Sequence, residues 1–152
     1  MDARDAEILK TLQADGRTSN AALAKRLHIA EAPAWRRVKA LEAAGLIKGY
    51  RAVLDPKRLG YEVTAFVHVR FAIHQPQVQQ AFEEQVIRIP EVIWCHNVSG
   101  GTDFLLCVLA RSLSDYGQFV STRLRSLPGV TAIESSFSLK TVKDDSGPPV
   151  EG

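Results

Sequence analysis

Two groups of residues carry side chains suited to binding chemistry. Arg36, Arg37 and Lys39 crowd together beside an apolar stripe. Cationic side chains on a protruding helix suit a major groove walled by phosphates. The same charges would also serve as the solvated face of a small helical bundle. The second group is the run Ser99-Gly100-Gly101-Thr102-Asp103. Adjacent glycines let backbone N–H groups come close to a ligand. Asp103 could hold an amine there, and Ser99 and Thr102 a carboxylate. The run equally fits a plain hairpin turn with Asp103 as a turn residue.

Residues for catalysis are sparse. His68, His74 and His96 have no metal-ligand spacing with a carboxylate or thiol. Cys95 and His96 are neighbours on a strand pattern and point to opposite faces, so they form no nucleophile–base pair. Cys95 and Cys107 lie outside any CxxC motif, which fits core or interface thiols in a reducing cytoplasm and argues against a disulfide scaffold. These observations predict a protein that is not an enzyme and has no catalytic residues, metal or cofactor.

The chain of 152 residues is 45% apolar and 24% charged, as expected of one medium or two small globular domains. Its longest apolar run, Phe104–Ala110, is too short to span a bilayer. The first residues, Met1-Asp2-Ala3-Arg4-Asp5, have no basic and apolar stretch of the secretory kind. A cytoplasmic protein without membrane partners is expected. The net charge of +2 divides into a basic half, residues 1–60, and an acidic half, residues 61–152. That asymmetry suggests two domains, the first facing a polyanion.

The elements that must position these residues follow from periodicity. Asp2 caps a first helix, with Ile8, Leu9 and Leu12 on one face and Gly16 as its stop. Ser19 caps a short second helix with Leu23 and Leu27 inside. A third runs from about Ala32 to Ala44, with Ala34, Trp35, Val38 and Leu41 on its apolar side and Gly45 at its end. Only His28-Ile29-Ala30 separates Leu27 from the third helix, and so short a turn makes the two helices cross steeply. Residues 46–54 alternate and read as a strand or small wing. Residues 55–60 form a linker, and residues 144–152 a disordered tail.

Beyond the linker the pattern becomes strand–helix–strand, twice. Strands are predicted over 61–73, 92–98, 103–110 and 130–142. Helices are predicted over 77–88 and from a Ser114 cap onward. The echo of Ile89-Pro90-Glu91-Val92 in Leu127-Pro128-Gly129-Val130 marks two βαβ halves of a ferredoxin-like βαββαβ domain over 61–143. The central strands are apolar on both faces. A face carrying Phe66, Leu105, Cys107 and Leu109 is too apolar to stay wet, so a second copy is expected to cover it.

The two halves together resemble the Lrp/AsnC, or feast/famine, family of transcription regulators. The matching residues include Asp15-Gly16-Arg17, Pro33-Ala34-Trp35-Arg36-Arg37-Val38, Gly45-Leu46-Ile47, Asp103-Phe104-Leu105-Leu106 and Leu127-Pro128-Gly129-Val130. The resemblance implies an α+β chain, a winged helix-turn-helix followed by a ligand-sensing domain. It implies double-stranded DNA and an amino acid or related metabolite as partners. It also implies homodimers that assemble to tetramers or octamers. By position it assigns Ser19 and Asn20 to phosphate contacts. Ala32, Ala34, Trp35, Arg36, Arg37 and Lys39 go to the groove or beside it, with Trp35 partly in the core. Ser99, Gly100, Gly101, Thr102, Asp103 and Phe104 go to the effector. His28 stands where the family often has Gly, and Ala30-Glu31 where it often has Ser-Pro, which removes a cap hydroxyl. Gly101 stands where the family often has Asp, which removes one carboxylate. An architectural DNA-binding protein without an effector is the alternative. A ferredoxin-like enzyme is a further one.

Overall fold

A computed structural model describes residues 2–72, 75–144 and 147–151. Ile73 and His74 at the end of the first predicted strand lie outside the described residues, as do Met1 and tail residues Asp145, Ser146 and Gly152. The chain divides into two compact units, Met1–Val53 with Val142–Gly152, and Leu54–Thr141.

The first unit is built on α1 (Ala3–Ala14), α2 (Asn20–Leu27) and α3 (Glu31–Ala43). Asp2 caps α1 in a reciprocal box with Asp5, which satisfies two amides that the first helical turn leaves without partners. Helix α1 ends at Ala14 with Asp15 as its cap, directly before the predicted stop at Gly16. Asp15 is already extended, and its carboxylate turns the chain by accepting from the Arg17 amide at 2.9 Å. Ser19 Oγ caps α2 by accepting from Ala22 N–H at 3.2 Å.

His28 ends α2 in the left-handed conformation, with φ 52° and ψ 45°. It is the only non-glycine residue with positive φ among those described. Ile29 N–H then donates to Ala24 O at 3.0 Å and His28 N–H to Lys25 O at 3.3 Å, closing a Schellman turn. Histidine thus performs the turn that glycine makes more easily. Ala30 precedes α3 with no side-chain cap. Gly45, at φ 72°, closes α3 in a second Schellman turn, with Leu46 N–H on Leu41 O at 3.0 Å. Ile8, Leu23, Leu27, Val38 and Leu41 form the core of this unit, with Leu9, Leu12, Ile29 and Ile47 against it.

The strand predicted over 46–54 does not form. The unit has no other strand among its described residues, so an extended segment there has no backbone partner. Trp35 also departs from expectation: it is 47% exposed while Ala34, Val38 and Leu41 are buried.

The second unit is a four-stranded sheet in the order β2-β3-β1-β4. The strands are β1 (Val63–Phe71), β2 (Val92–Asn97), β3 (Phe104–Ala110) and β4 (Val130–Phe137). Every neighbouring pair is antiparallel, as the ferredoxin-like pattern requires. Helices α4 (Pro76–Val86) and α5 (Leu113–Thr122) contribute Phe82, Val86, Tyr116 and Phe119 to one core with Ala65, Val67, Val69, Leu106 and Val108. Because strand side chains alternate, Phe66, Leu105, Cys107 and Leu109 occupy the opposite face.

Two boundaries differ from the sequence reading. The cap of α5 is Ser112, which accepts from Asp115 N–H at 3.0 Å, and not Ser114. The last strand stops at Phe137 instead of reaching 142. Ser138 N–H makes a bond to Thr64 O at 2.9 Å, close to where β1 begins, and beyond it Leu139 is 99% exposed.

The cap assignment has a direct test by urea unfolding. Ser112→Ala should lower stability by about 1 kcal/mol, while Ser114→Ala should stay within about 0.5 kcal/mol of the parent.

Candidate nucleic-acid interface and ligand loop

Helix α3 presents three chemically distinct sides. Ala34, Val38 and Leu41 point into the core. Ala32, Trp35, Arg36 and Lys39, spaced three and four residues apart, form one exposed stripe. Arg37 lies between these sides and reaches α1. Its guanidinium nitrogen contacts Asp2 at 2.8 Å and Asp5 at 2.7 Å. The resemblance assigns Arg37 to the groove; in the structure its guanidinium ties α3 to the acidic cap of α1. Asp2 and Asp5 were the available signal, since an acidic first turn invites a cation from a neighbouring helix.

Hydrogen bonding to Asp5 and then to Asp2 raises the Arg37 pKa. The Asp5 amide, aided by Arg37, holds the Asp2 carboxyl below its ordinary value. At the far end of the exposed stripe, Lys39 Nζ meets Glu42 at 2.7 Å, and Tyr50 donates to the other Glu42 oxygen at 3.2 Å. The Lys39 bond, then that of Tyr50, lowers the Glu42 pKa.

Asn20, Trp35, Lys39, Glu42 and Tyr50 line one cleft of about 210 Å³. Of the residues assigned to DNA, Ser19, Ala32, Trp35, Arg36 and Lys39 are exposed and Asn20 is half-buried. Ala34, at 0% exposure, is a packing residue. Ser19 Oγ spends an acceptor on its helix and retains a hydroxyl proton to donate.

The glycine run joins β2 to β3. Gly100 has φ 118°, a conformation reserved for glycine, and a Cβ at Gly100 or Gly101 would meet nothing within 4 Å. These glycines and Ser99 are exposed. The next two residues brace the loop against β1. Thr102 Oγ1 donates to Val69 O at 2.8 Å. One Asp103 carboxylate oxygen accepts from Phe71 N–H at 2.7 Å, and the Asp103 amide donates to Val69 O at 2.9 Å. Phe104, assigned by the resemblance to the effector, faces the core instead. Phe104 is 2% exposed and packs in the core, with ring centroids 5.5 Å from Phe71 and 4.5 Å from Phe82. It follows Asp103 on the strand, and alternation points it to the helix-covered face.

Burial, helped by Glu83, pushes the Cys95 thiol up to about 11, and burial also raises that of Cys107. Both are weak nucleophiles at neutral pH. Among the described residues no group of three His, Cys, Asp or Glu could hold a metal ion. No helix among them is long and apolar enough to cross a membrane.

A helix-turn-helix with an exposed basic stripe, followed by an αβ unit with an open glycine loop, defines a class of DNA-binding regulators with a ligand-binding domain. Comparison with known proteins agrees with both halves. Residues 1–48 match a winged helix-turn-helix DNA-binding family, and residues 64–148 match the Lrp/AsnC ligand binding domain. The Bkd operon transcriptional regulator of Pseudomonas aeruginosa is 36% identical over 150 residues, covering 99% of this chain and 98% of that protein. The leucine-responsive regulatory protein of Rhizobium meliloti is 38% identical over 144 residues, 95% of this chain and 92% of the relative. A Neisseria meningitidis transcriptional regulator solved with L-Met superposes with a TM-score of 0.92 at 34% identity, covering 97% of this chain and 96% of that one. The chain belongs to the Lrp/AsnC family of transcription regulators.

The link between Arg37 and Asp2 should be visible in acid. Asp2 has a lower pKa folded than unfolded, so its contribution is intact above the ordinary carboxylate value, about 3.9, and is lost as pH falls through the lower folded value. Thermal melts between pH 6 and pH 3 should show a steeper acid loss for the parent than for Arg37→Ala. The variant keeps only the backbone share of the Asp2 shift.

Proposed function

We propose that α3 enters the major groove on the stripe formed by Ala32, Trp35, Arg36 and Lys39, with Ser19 and Asn20 on the flanking phosphates. The observation that carries this reading is the side-by-side exposure of Arg36 and Lys39 on the helix that follows the turn. Arg37 acts through the fold, by fixing α3 against α1. Glu31 in the first turn of α3 suits the helix dipole, and its carboxylate points away from the phosphates, which would repel it.

The effector is an amino acid or related small metabolite, and the loop offers it Ser99 and the backbone of Gly100 and Gly101. Asp103 and Thr102 shape the loop from behind. The L-Met bound by the Neisseria regulator supports this ligand class. The functional unit is at least a dimer closed over the open sheet face, with tetramers or octamers built from it. A two-fold dimer presents one α3 to each half-site. The effector acts by binding two states of the assembly unequally, because equal affinity shifts nothing.

The test is fluorescence anisotropy on the DNA upstream of the protein's own gene, at low and moderate salt, with and without a pool of the twenty amino acids. Tight binding that weakens steeply with salt and shifts with the pool is expected. Arg36→Ala should weaken binding by about tenfold or more and reduce the salt slope by about one. Unchanged affinity in Arg36→Ala would overturn the groove assignment. Tight binding indifferent to the pool would favour an architectural role, a reading to which Gly101 lends weight by leaving the loop without a second carboxylate.

A further inference from the structure

We propose that Pro148-Pro149-Val150 is an intrachain ligand of the helix-turn-helix domain, seated in an apolar groove between α1 and residues 46–50. The groove presents Leu9 and Leu12 from α1 and Leu46, Ile47 and Tyr50 from the segment after α3, and the tail lines the other side of an open cavity of about 370 Å³. Val150 is half-buried there and is the anchor of the segment, while Pro148 and Pro149 line the groove's mouth and stay exposed. Gln13 Nε2 donates to Pro148 O at 2.9 Å. Gly147 enters with φ 77°, and a Cβ on it would lie 2.5 Å from Gln13 Nε2.

The chemistry of the segment suits the groove. Consecutive prolines hold the backbone extended before it docks, so little conformational freedom remains to be lost. They also have no N–H, so apolar contact strands no donor, and Gln13 meets the Pro148 carbonyl. Apolar grooves with an aromatic wall recognise proline-rich segments for the same reasons.

The occupant is the tail of the same chain, because the chain itself delivers it. The tail continues from β4 in the ligand-binding unit, and its end clusters with the helix-turn-helix unit.

Hydrogen exchange on the full chain, a chain ending at Lys143, and Val150→Asp decides the matter. Amides of the second half of α1 and of residues 46–50 should exchange about tenfold faster in both variants, with β1 and β3 unchanged. Equal exchange in all three proteins overturns the proposal. Because the readout is independent of DNA and of any effector, its outcome is separate from that of the regulatory reading. The occupant is tested with Gln13→Cys/Pro148→Cys in a background lacking Cys95 and Cys107, treated with a short bismaleimide. A crosslink within one chain is expected. A crosslink between chains, or none, overturns the assignment to the chain's own tail.

Discussion

An antiparallel sheet whose central strands are apolar on both faces must bury both, and two helices cover only one. On the covered face Val67 and Leu106 are at 0% exposure. On the other, Phe66 is 37% exposed, with the Trp94 ring 6.1 Å away. Leu105 and Leu109 flank them half-buried. Leaving such a face in water costs about 25 cal/mol for each Å² of apolar surface. In the proposed dimer a second copy removes that cost and supplies the two-fold symmetry that paired DNA half-sites need. The proposed assembly and its pairing of recognition helices both rest on this one uncovered surface.

The helix-turn-helix half is organised by a different division of labour. A helix of this length offers three sides, and α3 gives one to the core, one to α1 and one to solvent. Arg37 illustrates why composition alone misleads about such a helix. Two adjacent arginines look equivalent in a sequence, yet a turn of about 100° per residue separates them, and only Arg36 remains exposed. The Asp2–Asp5 cap then does two jobs, satisfying the amides of α1 and anchoring the cation of α3.

Much of this was legible in the residues. Period-two alternation located the buried face of β1, and period 3.6 located Phe82 and Val86 on α4. The short His28-Ile29-Ala30 connection implied the helix-turn-helix, and the left-handed tolerance of histidine accounts for His28. Local chemistry failed where a distant partner decides. Residues 46–54 alternate like a strand, but no second strand stands beside them among the described residues of their unit. Trp35 fits an apolar stripe by type, but it sits on the exposed side at the edge of a cleft. Phe104 belongs to a ligand-loop motif by position, but strand alternation turns it into the core. The proposed docking of Pro148-Pro149-Val150 joins residues far apart in the chain, and no local pattern announces it.

The central claim, that a second copy covers the open sheet face, is tested most directly by mass in solution. Sedimentation equilibrium at micromolar concentration should give twice the 16.7 kDa of one chain, or a higher even multiple. Leu105→Asp, which places a charge on the open face, should reduce the species to a single chain with unchanged helix content. A parent protein sedimenting as a single chain, or a Leu105→Asp variant that keeps the parent's mass, would contradict the account.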